Sequence, residues 1–214
     1  STGALPPPRG LTVPPEKRDP RGNFRFFENR QKYLLFVHTC SEKRVIAERV
    51  ALELSSLHPR PPALRVFDAG VGDGTVLARV MRAMHGRFPH MPFYIAGKEL
   101  SLEDVRLTLD KVPDRLFEHP ATVVVLTNMH YAEAPWLTPA SPTAAASMIW
   151  HEVALRGASS EEFETQIAEL GPFLEQNWRA NICPRSGMPI YERPVALVVY
   201  REDHRFLLDS IIPR

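Results

Sequence analysis

"VFDAGVGDGTVLARV", Val66 to Val80, sets Gly70, Gly72 and Gly74 at alternate positions between a β-branched run and an apolar run of helical spacing. They stand where a strand hands over to a helix. A residue without Cβ lets the backbone take positive φ there and lets a ligand approach the main chain. The helix beginning near Thr75 turns its unpaired N–H groups toward whatever the turn holds. A pyrophosphate favours a helix end clear of negative charge. Here Asp73 lies in the turn and Asp68 closes the strand. Two carboxylates oppose a diphosphate and suit a ligand carrying hydroxyls and a positive charge.

Outward from that turn, Leu64–Ala69, Phe93–Gly97 and Thr122–Thr127 read as strands, and Thr75–Met84 and Leu102–Leu109 as helices. Near-continuous β-branched strands alternating with helices predict an α/β fold, a doubly wound and mainly parallel sheet covered on both faces. Upstream, Phe24–Leu57 has apolar residues at three- and four-residue steps, with a break at Thr39–Ser41 where Ser41 is a candidate helix cap. The prolines of His58–Pro62 end that segment. The chain thus divides into a proline-rich arm (1–23), a helical lead-in (24–62), an α/β core (63–143) and a remainder (144–214).

Composition narrows the function classes. With 26 Lys and Arg against 25 Asp and Glu, the chain as a whole presents no basic face for nucleic acid. Cys40 and Cys183 lie far apart, in no metal-ligand spacing and no disulfide framework, which fits reduced thiols in a cytoplasmic protein with no bound metal. No apolar run approaches the roughly 18 residues of a membrane span, so no membrane association is expected.

The stretch Phe67–Leu77, "FDAGVGDGTVL", resembles the first motif of class I S-adenosylmethionine-dependent methyltransferases, D-x-G-x-G-x-G. A dinucleotide fingerprint, G-x-G-x-x-G, would need its third glycine at position 75, which is Thr75. The resemblance implies S-adenosylmethionine as cofactor, held by Asp68, Gly70, Gly72, Asp73 and Gly74. It also implies that Glu99, ending the strand "FYIAGKEL" with Leu100 beside it, bonds the ribose hydroxyls. After "TVVVLTNMHY" the family often carries Asp; Asn128 stands there as the adenine reader, with Met129 either against the adenine face or as packing. In small-molecule methyltransferases of the histamine N-methyltransferase type, the helical lead-in folds over the cofactor. By that likeness Phe27, Tyr33 and Phe36 are candidate substrate-pocket residues.

The family's later strands match less fully. Ser147–Leu155 is the candidate fourth strand, "SSEEFETQIAELGPFLEQNWRA" the next helix with Ser159 or Ser160 as its cap, "PVALVVYRED" a strand and "HRFLLDSIIP" its hairpin partner. No Asp precedes the fourth strand. Two readings stand: a compact variant, or the N-terminal part of a longer enzyme with 144–214 as an insertion and self-association of the piece. Methyl transfer from a sulfonium requires alignment of the nucleophile and at times removal of its proton; the candidate bases are His130, Tyr131, His151 and Glu152. The expected function is methyl transfer to an N or O nucleophile of a small molecule. The alternatives are a methyltransferase-like module that binds without turnover and, further off, an NAD-type oxidoreductase.

Overall fold

A computed structural model describes residues 41–212. The proline-rich arm, the first part of the lead-in with Phe27, Tyr33 and Phe36, and Cys40 lie outside the described residues. Helix α1 (Glu42–Glu53) follows Ser41, which occupies the N-cap position but makes no side-chain capping bond. Strand β1 (Leu64–Asp68) leads through the glycine turn into α2 (Thr75–Arg87) and β2 (Phe93–Lys98). Helices α3 (Leu102–Leu109) and α4 (Val112–Glu118) then lead to β3 (Thr122–Thr127). A short α5 (Pro142–Ala146) precedes β4 (Ile149–Leu155), followed by α6 (Ser160–Ala168) and α7 (Gly171–Asn177). A small hairpin, β5 (Ala180–Ile182) with β6 (Pro189–Tyr191), comes before β7 (Val195–Arg201).

The main sheet has five strands in the order β1-β2-β3-β7-β4. It is α/β and mainly parallel as expected: β1 with β2, β2 with β3, and β4 with β7 run parallel, while β3 and β7 are antiparallel. β7 and β4 thus run together against β1, β2 and β3, a mixed, mainly parallel sheet that fits the class I methyltransferase sheet. Residues 144–214 therefore contribute two strands to the same sheet as the glycine turn. Because β7 and β4 run against β3, their amino ends lie at the carboxyl edge of β1, β2 and β3: Thr127 faces Ala196, and Ile149 faces Val195.

Alternation along the strands supplies both faces of the core. Phe93, Ile95, Val124, Leu126, Val195, Leu197 and Val199 pack beneath the helices, with Leu77, Met81 and Met84 of α2, Leu109, Leu116, and Phe163 and Leu174 of α6 and α7. Tyr94, Ala96, Val123, Val125, Ala196, Val198 and Tyr200 face the other way, covered by Met129, Leu137, Leu207, Leu208 and Ile211. Each buried Val, Leu, Ile, Phe or Met among them contributes about 1.5–3 kcal/mol. That explains why these strands read as unbroken apolar runs.

Two expected elements differ. The single helix after Ser159 is two helices, because Pro172 lacks the N–H that would continue the first and instead sits in the opening turn of α7. The expected hairpin partner at 204–213 is instead a 3₁₀ segment (Glu202–Leu207) running into helix α8 (Leu208–Ile211). Leu207, Leu208, Ile211 and Ile212 recur at helical steps and bury themselves on the second face, a burial that a strand's alternation would halve. Among the described residues no helix is long and apolar enough to cross a membrane.

Candidate functional site

The turn between β1 and α2 is braced from within. The Gly70 N–H donates to Asp68 Oδ1 at 3.1 Å, an Asx-type turn. Gly72 and Gly74 take φ of 57° and 78°, the left-handed region that a Cβ disfavours. A side chain at Gly74 would put its Cβ 2.9 Å from Thr108 Cα, so the turn rests directly on α3. The Thr108 hydroxyl donates to the Gly72 carbonyl at 3.0 Å, and Lys111 Nζ donates to that of Asp73 at 2.6 Å. A Cβ on Gly70, by contrast, would meet no heavy atom within 4 Å. The open side of the turn is therefore at Gly70 and its closed side at Gly74.

The two acids of the turn have different situations. Asp73 Oδ1 accepts from Lys43 Nζ at 2.6 Å and from the Thr75 N–H at 3.1 Å, and Oδ2 accepts the Thr75 hydroxyl at 3.0 Å. Burial raises its pKa, but Lys43 and the Thr75 donors outweigh that and hold the carboxyl below its ordinary range. Its charge joins α1 to the amino end of α2, where a negative charge is favourable. Of the two acids, Asp68 is the one that keeps an oxygen unpaired among the described residues.

Glu99, at the end of β2, links the turn to the next strand. Its Oε2 accepts the Gly72 N–H at 3.0 Å, and Oε1 accepts the N–H groups of Leu100 and Ser101 at 2.8 and 2.9 Å. A carboxylate has about four acceptor positions. Three are filled by backbone, so the remaining one, on Oε2 beside Gly72, is what a hydroxyl can use. The Glu99 carbonyl accepts the indole N–H of Trp178 at 3.0 Å, which brings the end of α7 to this edge. Nothing in the sequence pairs Trp178 with Glu99 across 79 positions. Gly97 is a second residue missed by sequence: a Cβ there would overlap the Val71 side chain.

Asn128 and Met129 have structural partners. Asn128 Nδ2 donates to the Arg193 carbonyl at 2.7 Å and its Oδ1 accepts the Val195 N–H at 2.8 Å. Both ends of the amide thereby join β3 to β7, at 1% exposure. Met129 is fully buried in the second-face core.

The four candidate bases are dispersed. His130 is exposed at the rim, its ring centroid 5.3 Å from that of Tyr191; Tyr131 is 70% exposed. Glu133, which the sequence reading passed over, is buried. It accepts the His130 N–H at 3.2 Å, the Ala140 N–H at 2.7 Å and the Tyr191 hydroxyl at 3.1 Å. Burial, followed by that carboxylate, pushes the Tyr191 phenol up to about 12. His151 and Glu152 are neighbours in β4 and so lie on opposite faces: His151 stacks on Phe173 of α7 at 4.1 Å, while Glu152 accepts from Tyr200 on the second face. They cannot act on one nucleophile together. Among the described residues no group of three or more His, Cys, Asp or Glu is placed to hold a metal ion.

Comparison with protein-family models, with curated proteins and with solved structures finds no match to this chain. The fold alone is Rossmann-like, an α/β sheet compatible with a nucleotide-type cofactor at its carboxyl edge.

Proposed function

We propose that the protein is an S-adenosylmethionine-dependent methyltransferase acting on an N or O nucleophile of a small molecule. The observation that carries this reading is the Glu99–Gly72 hydrogen bond, which ties the D-x-G-x-G-x-G turn to the acid of the next strand while leaving Gly70 open. The residues fit the cofactor. Asp68 offers charge to a sulfonium, Glu99 Oε2 an acceptor to a ribose hydroxyl, and Gly70, Gly72 and the Leu100 backbone a wall of main chain. Asp73 and Gly74 shape the turn. When bound, the cofactor supplies an activated methyl group.

For the acceptor, the favoured group at the carboxyl edge is His130 with Tyr191 and Glu133. Glu133 fixes the His130 backbone and the Tyr191 phenol, and the phenol, at a pKa of about 12, stays protonated and keeps donating to Glu133. The exposed His130 imidazole is the group there that can take a proton from a nucleophile, and Tyr131 is its exposed neighbour. His151 and Glu152 are less suited, being turned to opposite faces.

Calorimetric titration with S-adenosylhomocysteine and with NAD tests the reading. Saturable binding of the first and none of the second is expected; the reverse result sinks the proposal in favour of an oxidoreductase. Binding of S-adenosylhomocysteine, with no methyl transfer to any of a panel of small amines and phenols, would identify a module that holds the cofactor without turnover.

A further inference from the structure

A second concave site lies on the second face of the sheet, beside α8, whose Leu208 and Asp209 line it. Trp136, Leu137, Thr138, Trp150, Glu152 and Arg205 help line a cavity of about 360 Å³, within the range of small-ligand pockets. It adjoins β4, which lies four strands from β1 in the sheet. At about 4.8 Å per strand that is roughly 19 Å from the strand of the glycine turn. Its other wall, Trp136 to Thr138, belongs to the loop after β3 that also carries His130 and Glu133.

Three features of this cavity bear on what it could hold. Two indoles on its wall are left to water, Trp136 at 69% and Trp150 at 42% exposure. Large aromatic rings contribute most when covered, so a pair of them lining one cavity is an unmet opportunity for contact. Leu137, beside Trp136, holds φ 50° and ψ 36°, the left-handed region that a leucine avoids. It buries its own side chain in the core and leaves Trp136 facing outward; backbone held this way recurs at ligand-binding sites. Glu152 completes the group. Its Oε1 accepts the Trp150 indole N–H at 3.1 Å and its Oε2 the Tyr200 hydroxyl at 3.1 Å. Both donors fix the carboxylate in place without neutralising it. Arg205, the cation paired with it among the described residues, stands at 3.8 Å with its side chain 61% exposed, an arrangement that contributes little as an ion pair.

We infer that this cavity binds a small organic cation with an apolar shell, of the quaternary-ammonium type. Indole faces attract such a cation through their quadrupole, and a carboxylate fixed beside them supplies the counter-charge. A neutral ligand of the same shape would gain the ring contacts but not the electrostatic part. An anion would face Glu152. The inference is independent of the cofactor reading.

Titration of the full chain with choline and with 3,3-dimethylbutan-1-ol, its neutral isostere, tests it, followed by tryptophan fluorescence and calorimetry at low ionic strength. Choline is expected to bind saturably and about tenfold more tightly than the alcohol. Trp136→Ala, at a side chain exposed enough to leave the fold alone, is expected to weaken choline at least several-fold while leaving S-adenosylhomocysteine binding as it was. Glu152→Gln is expected to bring choline down to the level of the alcohol. Equal affinity for the two ligands, or no saturable choline binding into the tens of millimolar, would overturn the assignment. So would tighter binding of glycine betaine than of choline, which would point to a zwitterion held between Glu152 and Arg205.

Discussion

At the scale of single residues, the proposed cofactor site turns on how many partners each acid already has. Glu99 holds three backbone N–H groups and has one acceptor position left. Glu99→Ala is therefore expected to weaken S-adenosylhomocysteine by about 1.5–3 kcal/mol, the scale of hydrogen bonds to a charged acceptor. It should also lower the thermal midpoint, since three donors lose their acceptor; an unchanged affinity in calorimetry would remove Glu99 from the site. Gly72→Val is expected to abolish binding, because a β-branched residue at φ 57° is strained and fills the approach to the main chain. Circular dichroism would separate loss of the site from loss of the fold. The residue types at 68, 72 and 99 were legible in the sequence because motif spacing fixes them. Their allocation was not: that Asp73 is taken by Lys43, and both ends of the Asn128 amide by Arg193 and Val195, depends on contacts 30 and 65 or more positions apart.

At the scale of elements, strands with unbroken apolar runs were legible because burial on both faces leaves no alternation to misread. Leu102–Leu109 and Thr122–Thr127 coincide with their expected bounds. Elements decided by local conflict were harder. Pro172 splits one expected helix into α6 and α7, and the β5–β6 hairpin, mostly exposed, lacks the apolar pattern that marks a strand. Helix α6 is where local chemistry spoke plainly. Ser159 Oγ accepts the Glu162 N–H at 3.2 Å while Glu162 Oε2 accepts the Ser159 N–H at 3.1 Å, a complete capping box. Ser159→Ala is expected to cost about 1 kcal/mol in urea denaturation, with cofactor affinity unaffected because this cap lies at the far end of β4 from the glycine turn. The same alternation that builds the sheet separates His151 from Glu152, a consequence that strand assignment alone already implies.

At the scale of the molecule, the sheet has two edges with different chemistry. Its carboxyl edge gathers the glycine turn, Glu99, Trp178 and His130. Its outer strand β1 pairs with β2 alone among the described residues, and such an edge invites pairing with a second copy; sedimentation velocity is expected to show a concentration-dependent dimer, and a monomer throughout would dismiss it. At the opposite end, rings stack in a column: Phe93 lies 4.3 Å from His119, and His119 lies 4.9 Å from His85. His119 is buried and His85 half-buried, each with its Nε2 buried and without a hydrogen-bond partner among the described residues. Burial, then the neighbouring His119, drives His85 down to about 4 despite Glu118 at 3.3 Å, and burial lowers His119 as well. The folded state thus keeps both rings neutral, while the unfolded chain takes up protons near the ordinary histidine value of about 6.5. Between those values the unfolded state binds more protons, so stability is complete above about 6.5 and falls as pH drops toward 4. For His85 alone the loss is on the order of 3 kcal/mol. Urea midpoints measured at neutral pH and at successive steps toward pH 4 are expected to decline. His85→Phe, which keeps a stacked ring but removes the proton site, is expected to flatten that decline; an equally steep fall in the variant would assign the acid sensitivity to carboxylates such as Asp73 instead.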